Sequence, residues 1–261
     1  MNIEIYQVDA FTNEVFAGNP AAVCLLDHWL EAELMQNIAM ENNLAETAFV
    51  VKADENYQIR WFTPTVEVDL CGHATLAAAH VLYHEKSFQG EQLHFWSDRS
   101  GQLLVKKDGE RLQLDFPADS ISEIPVTPEL QSCFSVKPLK IFKGKTDYMF
   151  IFKTEESIRN ISPNLSAIAS LDACGLIASA PGKKVDFVSR FFAPQSGIIE
   201  DPVTGSAHTS LTPYWSAQLG KQELEALQLS TRGGHLFCSM EKDRVLISGY
   251  SRLYLRGEIV V

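Results

Sequence analysis

Arg60-Trp61-Phe62-Thr63-Pro64 leads into Cys71-Gly72-His73-Ala74-Thr75, and Arg190-Phe191-Phe192-Ala193-Pro194 leads into Asp201-Pro202-Val203-Thr204-Gly205-Ser206-Ala207. The two arginine–aromatic–proline stretches stand 130 residues apart, and Cys71 and Asp201 each follow their proline by seven residues. Both stretches then pass through small residues into an apolar run. A five-residue match arises by chance, but one that keeps its spacing and its small-residue entry into a helix points to an internal duplication. A duplication dictates the architecture.

The chain around these copies reads as strands and a few helices. Ile3 to Val8 alternates as a half-buried strand does, and Ala22 to Leu26 reads as a buried one. A helix is expected from about Glu31 to Asn42, with Leu34, Met35 and Ile38 on one stripe. Glu46–Val51 and Tyr57–Phe62 read as strands. Ala74–His84 is apolar nearly all round, as a helix buried on most sides must be. The second half repeats the theme, with strands at Leu139–Phe142, Tyr148–Phe152, Gly175–Ser179 and Phe187–Phe192, and a helix from about Ser206 to Leu219. The division falls near Pro117–Pro128, a stretch rich in Pro, Ser and acids. The expectation is an α+β fold of two pseudo-symmetric lobes, each a barrel-like β-sheet wrapped round a central helix. One lobe takes residues 1–118, completed by the terminal strand 252–261; the other takes 126–251.

Bulk properties narrow the function. The chain has 261 residues, 46% of them hydrophobic and 21% charged, which is ordinary globular composition. The formal charge of −11 and the lack of a dense Lys/Arg cluster argue against a nucleic-acid partner. No apolar run approaches the roughly 20 residues of a membrane span. The opening MNIEIYQVDAF carries acids in place of a basic segment and apolar stretch, so no signal or transit peptide is read and a cytoplasmic protein is expected. Cys24, Cys71, Cys133, Cys174 and Cys238 include no C-x-x-C pair, against both a disulfide framework and a structural zinc site. The histidines form no H-E-x-x-H set, so no metal is expected. Neither half holds a phosphate-binding glycine motif, so no nucleotide is expected either. A symmetric homodimer is the default assembly.

Duplicated halves would set positions 71 and 201 on opposite sides of one cleft, each at the start of a buried helix. Unpaired N–H groups and partial positive charge at helix starts suit a carboxylate ligand. Each residue there also has a plain reading. Asp201 makes an acceptable turn residue before Pro202, His73 a packed helix residue, and Cys71 an inert apolar one. A thiol at a helix start can also lose its proton more readily and act as a base. Glu46 sits among Leu44, Ala48, Phe49 and Val50, an apolar setting that suits a general acid/base.

Leu44-Ala45-Glu46-Thr47-Ala48-Phe49, Arg60–Pro64, Cys71–Thr75, Glu200–Ala207 and Gly18-Asn19-Pro20 together resemble the signatures of the PhzF-like family of phenazine biosynthesis. They are spread over nearly the whole chain. The resemblance implies the diaminopimelate epimerase fold and, at matching positions, Glu46 as the acid/base group and His73 and Asp201 as substrate contacts. It also implies substrate-binding positions at Asn19, Gly72, Ala74, Gly205 and Ser206. Two residues depart from the phenazine enzyme, Ala45 where it has serine and Cys71 where it has alanine. A cysteine there is similar to diaminopimelate epimerase, which sets two catalytic thiols on the duplicated positions. The expected function is a cofactor-independent isomerase moving a proton on a small carboxylate-bearing substrate. The alternatives are a two-base racemase or epimerase using Cys71 and Asp201, a dehydratase, and a ligand-binding protein without turnover.

Overall fold

The computed structural model describes residues 1–261. The chain forms two compact units, Met1–Asp115 with Ser248–Val261, and Phe116–Ile247. In the first, β1 (Asn2–Ala10) alternates inward Ile3 and Ile5 with outward polar residues and pairs antiparallel with β2 (Asn19–Leu26). The chain crosses by helix α1 (Ala32–Asn42) to β3 (Glu46–Ala53), which lies parallel to β2; a parallel pair needs such a crossover. β3 pairs antiparallel with β4 (Asn56–Phe62), which carries a two-residue hairpin strand, β5 (Glu67–Val68). A second crossover, through α2 (Gly72–His80), leads to β6 (Gln92–Ser97), parallel to β4. Antiparallel β7 (Gly101–Asp108) and β8 (Arg111–Pro117) follow.

The second unit begins with β9 (Ser122–Ile124) and the short α3 (Pro128–Gln131), and β9 pairs with β10 (Lys140–Lys143). β10 is antiparallel to β11 (Asp147–Ile151), and two single-turn helices, α4 (Glu155–Arg159) and α5 (Leu165–Ala169), cross to β12 (Gly175–Pro181), parallel to β11. β12 is antiparallel to β13 (Phe187–Ala193), which carries β14 (Ile198–Asp201). Helix α6 (Ala207–Leu219) crosses to β15 (Glu223–Gln228), parallel to β13, with β16 (Gly234–Glu241) antiparallel beyond it and β17 (Arg244–Gly249) after that. Strand β18 (Ser251–Val260) then returns to pair with β1. Both units therefore run through the same succession of antiparallel, parallel, antiparallel, parallel and antiparallel pairs. The fold is α+β, as expected. No helix is long and apolar enough to cross a membrane.

In each unit the long crossover helix packs on its own sheet, α2 on β1, β2, β3 and β18, and α6 on β11, β15 and β16. Every residue of α2 from His73 to His80 is buried. Its run of alanines lets the sheet close on it from several sides, in place of the single apolar stripe of a surface helix. The chain continues as one π-helical turn, Val81–Glu85, so the expected 74–84 helix starts two residues earlier and changes winding near its end.

The duplication is visible in the side chains. Arg60 grips Glu67 through Nε at 2.6 Å and a terminal nitrogen at 2.9 Å and lies over Phe62, while Arg190 grips Glu200 at 2.6 and 2.9 Å and lies over Phe192. The register corrects the count made from sequence. Trp61 faces Val68, whereas its counterpart Phe191 faces Asp201. The second copy has spent three extra residues in the turn of Pro194–Ser196 and Gly197, the last at φ 80°. The residue matching Cys71 is therefore Thr204, and Gly72, His73 and Ala74 match Gly205, Ser206 and Ala207. The hydrogen bonds agree, since the Cys71 carbonyl accepts from the Thr75 hydroxyl at 2.6 Å and the Thr204 carbonyl lies 2.8 Å from His208 Nδ1.

One buried acid in the second unit yields a stability test. Asp147 is 7% exposed, and its Oδ1 has no hydrogen-bond partner. Burial pushes its carboxyl from 3.8 up to about 6. A raised acid holds its proton more tightly folded than unfolded, so ionisation costs stability as the pH climbs through that window and beyond. Asp147→Asn should stabilise the protein by on the order of 1–3 kcal/mol at about pH 8 and by little at about pH 3.5, read by urea unfolding. An equal effect at both values would show that the carboxylate is not the cost.

Candidate active site

The start of α2 collects the polar side chains of the first unit. Gly18 takes φ 66°, and a Cβ there would stand 2.2 Å from the Ala10 carbonyl. Only glycine makes that approach, and it delivers Asn19 to the first position of β2. Glu46 opens β3, opposite Ala21 of β2. Cys71 is the residue before α2, with an extended backbone, and His73 is the second residue of the helix. The Cys71 carbonyl accepts from Thr75 N–H at 3.1 Å as well as from its hydroxyl, which fixes the loop.

His73 is the hub. Its Nδ1 lies 3.4 Å from Cys71 Sγ and 3.2 Å from Asn19 Nδ2. Its Nε2 lies 3.1 Å from Glu46 Oε2. That last contact has the distance of a charge pair, but neither atom completes a hydrogen bond. The side chains of His73 and Glu46 are 6% and 12% exposed, so water screens the pair weakly. Asn19 can answer either state of the ring, with Nδ2 to the lone pair of the neutral form or, after a half-turn of its amide, Oδ1 to the N–H of the charged form.

Burial opposes a charge on His73, but the flanking Cys71 and Glu46 outweigh it and hold the imidazole well above its ordinary value. Cys71 moves the other way from a reactive thiol. Burial, and after it the Glu46 charge, push its pKa from 9.0 up to about 11, against the pull of His73 and of the Ala74 amide. Cys71 and Glu46 thus both bear on the ring, and His73 in turn pulls the thiol down. A helix start by itself disfavours a charged imidazole; here Cys71 and Glu46 reverse that.

Glu46, Cys71 and His73 each place one ligand-type atom within 4.8 Å of the others. The sulfur meets Nδ1 and the carboxylate Nε2, on different edges of one ring.

The remaining candidates occupy defined places. Gly72 is half-buried at the first turn of α2, and Ala74 is wholly buried in the packing of the helix. In the second unit Gly205 is buried, and Ser206, exposed, precedes α6 without capping it. Asp201 ends β14, 8% exposed, and its Oδ2 accepts from the Thr204 hydroxyl at 2.5 Å. Gln228, at the end of β15, donates to the Asp201 carbonyl at 2.8 Å and to the Thr204 hydroxyl at 3.1 Å, and accepts from Thr204 N–H at 2.9 Å. Sequence reading passed over Thr204 and Gln228. The Gly72–Ala74 and Gly205–Ala207 match would have pointed to Thr204; nothing local marks Gln228.

The profile of the PhzC-PhzF family, described as phenazine biosynthesis-like protein, matches residues 8–258. The chain belongs to this family. A Pseudomonas aeruginosa protein named as an uncharacterized isomerase is 51% identical over 99% of both chains, and a Bos taurus phenazine biosynthesis-like domain-containing protein is 41% identical over 99% of both. The crystal structure of an Enterococcus faecalis PhzF-family protein superposes with a TM-score of 0.97, at 48% identity and full coverage of both chains. A hydroxyproline epimerase from Agrobacterium vitis, with bound trans-4-hydroxy-L-proline, shares the fold at a TM-score of 0.65 and 7% identity, over 99% of this chain and 92% of its own.

In this PhzF-family chain the His73 charge depends on two neighbours, Cys71 and Glu46. Glu46→Gln should lower the His73 pKa, read from the pH dependence of its ring signals by NMR, and an unmoved titration would remove Glu46 as a cause. The sign for stability follows from the upward shift. The His73 contribution is full below 6.5, the ordinary value, and fades as the pH rises through the higher folded value.

Proposed function

We propose that this protein is an isomerase that moves a proton on a small carboxylate-bearing substrate, with Glu46 as the proton shuttle. The observation that carries the reading is the buried contact of Glu46 with His73 at the start of α2. A carboxylate held beside an imidazole can take a proton from a substrate and return it. His73 balances the charge as Glu46 alternates between its two states. The start of α2 adds unpaired backbone N–H groups and partial positive charge for a substrate carboxylate, and Gly72 lets a ligand approach them.

Two facts from relatives support the class. The 51%-identical Pseudomonas protein carries the name isomerase, and the epimerase that shares the fold binds a small imino acid. Asp201, fixed by Thr204 and Gln228, is assigned a substrate contact, as are Asn19, Gly205 and Ser206. An acid/base group of this kind contributes on the order of 10²–10⁴-fold in rate. The pairing of Cys71 with Asp201 as two opposed bases loses its main argument, because Thr204 holds the position equivalent to Cys71.

The test is solvent exchange. Small carboxylates, among them amino, imino and hydroxy acids and unsaturated acids, are incubated with the protein in D2O and read by NMR and mass spectrometry. Deuterium should enter at a carbon next to an electron-withdrawing group in the accepted substrate. Glu46→Gln should reduce that exchange by about 10²-fold or more; exchange unchanged in this variant would end the assignment.

A further inference from the structure

We propose that Gln228 is a positioning residue of the second unit, whose buried amide aims the Thr204 hydroxyl at Asp201 and so presents Asp201 as a hydrogen-bond acceptor. The proposal rests on the reading of Asp201 as a substrate contact and goes beyond it, since it assigns what sets the state of that carboxylate. Three features carry it.

The first is the direction of the bonds. One end of the Gln228 amide lies 2.9 Å from Thr204 N, and the other lies 2.8 Å from the Asp201 carbonyl and 3.1 Å from Thr204 Oγ1. A backbone N–H only donates and a backbone carbonyl only accepts, so the amide has one orientation that satisfies both. Its oxygen takes the Thr204 N–H, and its two N–H groups go to the Asp201 carbonyl and to Thr204 Oγ1. The Thr204 hydroxyl accepts there and has a single proton left to give. That proton goes to Asp201 Oδ2, at 2.5 Å, the length of a bond from a hydroxyl to an ionised carboxylate. Gln228 thus leaves the hydroxyl no other direction.

The second is enclosure. Gln228, Thr204 and Asp201 are 1%, 7% and 8% exposed, so water is poorly placed to replace a lost bond. Thr204 is also held from its other side, where its carbonyl lies 2.8 Å from His208 Nδ1. Burial pushes this imidazole down to about 4, so the ring is neutral and carries its one N–H on Nδ1, against the carbonyl. With both backbone groups of Thr204 fixed, the hydroxyl is what Gln228 has left to settle.

The third is the duplication. β15 lies parallel to β13 as β6 lies parallel to β4, with Phe187 facing Ala226 and Tyr57 facing Phe95. Two residues further on, β15 presents Gln228 and β6 presents Ser97. A serine has no amide to offer, and Ser97 Oγ accepts from Arg99 N–H at 3.4 Å. In that unit the helix start turns a thiol to an imidazole; in this one it turns a hydroxyl to a carboxylate. The amide belongs to the copy that holds Asp201.

The experiment follows the Asp201 carboxyl by 13C NMR against pH on the full chain, its signal identified by loss in Asp201→Asn. A hydrogen bond given to the ionised form holds a carboxyl pKa down. Gln228→Met frees the Thr204 hydroxyl to turn away, so Asp201 should become about a tenfold weaker acid. Thr204→Val should have the same effect, and Thr204→Ser should titrate as the unaltered protein does. In the Thr204→Val background Gln228→Met should add little, because the amide acts through the hydroxyl. An Asp201 titration unchanged by Gln228→Met would overturn the proposal. So would a shift of equal size with and without the Thr204 hydroxyl, which would belong to lost packing. Gln228→Leu carries the same expectations and stands in should Gln228→Met not fold. The titration needs no substrate and leaves Glu46 untouched, so its failure and that of the deuterium test are separate.

Discussion

A carboxylate and an imidazole that face each other under cover, at the mouth of a wholly buried helix, set the terms for the first unit. An ionised side chain taken out of water alone would be prohibitive, and it is tolerated when an opposite charge is brought with it. The fold brings the two from different strands and turns. Glu46 comes on the strand that follows α1, His73 on the helix that follows β5, and Asn19 on a strand whose entry needs a glycine at Gly18. Their meeting is a consequence of the parallel β2–β3 pair with α2 packed over it. Weakening that packing would loosen the contact before either residue changed.

The duplication explains why the two helix starts differ in kind. Both units carry the same arginine–glutamate clasp under an aromatic ring and the same carbonyl-to-side-chain closure of the first helical turn. Past that shared frame the copies diverge. The first sets a thiol and an imidazole next to a glutamate. The second sets a hydroxyl and an aspartate under the buried amide of Gln228, where each polar group has a named partner. One copy gathers its polar groups round an imidazole and the other round fixed hydrogen bonds.

Much of this was legible in the sequence, and what escaped has physical reasons. The repeat, the α+β class and the long helices α1, α2 and α6 came from pattern alone, because hydrophobic spacing and small-residue runs are local signals. The helices α4 and α5 were not anticipated, since five residues hold too little periodicity to read. The pairing of Cys71 with Asp201 was misjudged for a specific reason. A count of residues assumes no insertion, and the extra turn at Pro194–Gly197 only becomes visible when strands are laid side by side. Glu46 and His73 were named as candidates by motif, but their contact, which spans the strands between them, is a tertiary fact. Gln228 was silent for the same reason.

The state of Cys71 shows how magnitudes decide between two sound rules. A thiol at a helix start is expected to ionise more easily, because the helix dipole favours negative charge there, by about 0.3–1 kcal/mol. That is less than one pKa unit. Removal from water opposes it, and the thiol stands at about 11 against an ordinary 9.0, a larger displacement in the other direction. The dipole loses. The carboxylate across His73 adds to the loss, because a second negative charge in so small a dry space repels a thiolate. The same carboxylate also raises His73, and His73 pulls the thiol back down, so Glu46 acts on the sulfur in both directions.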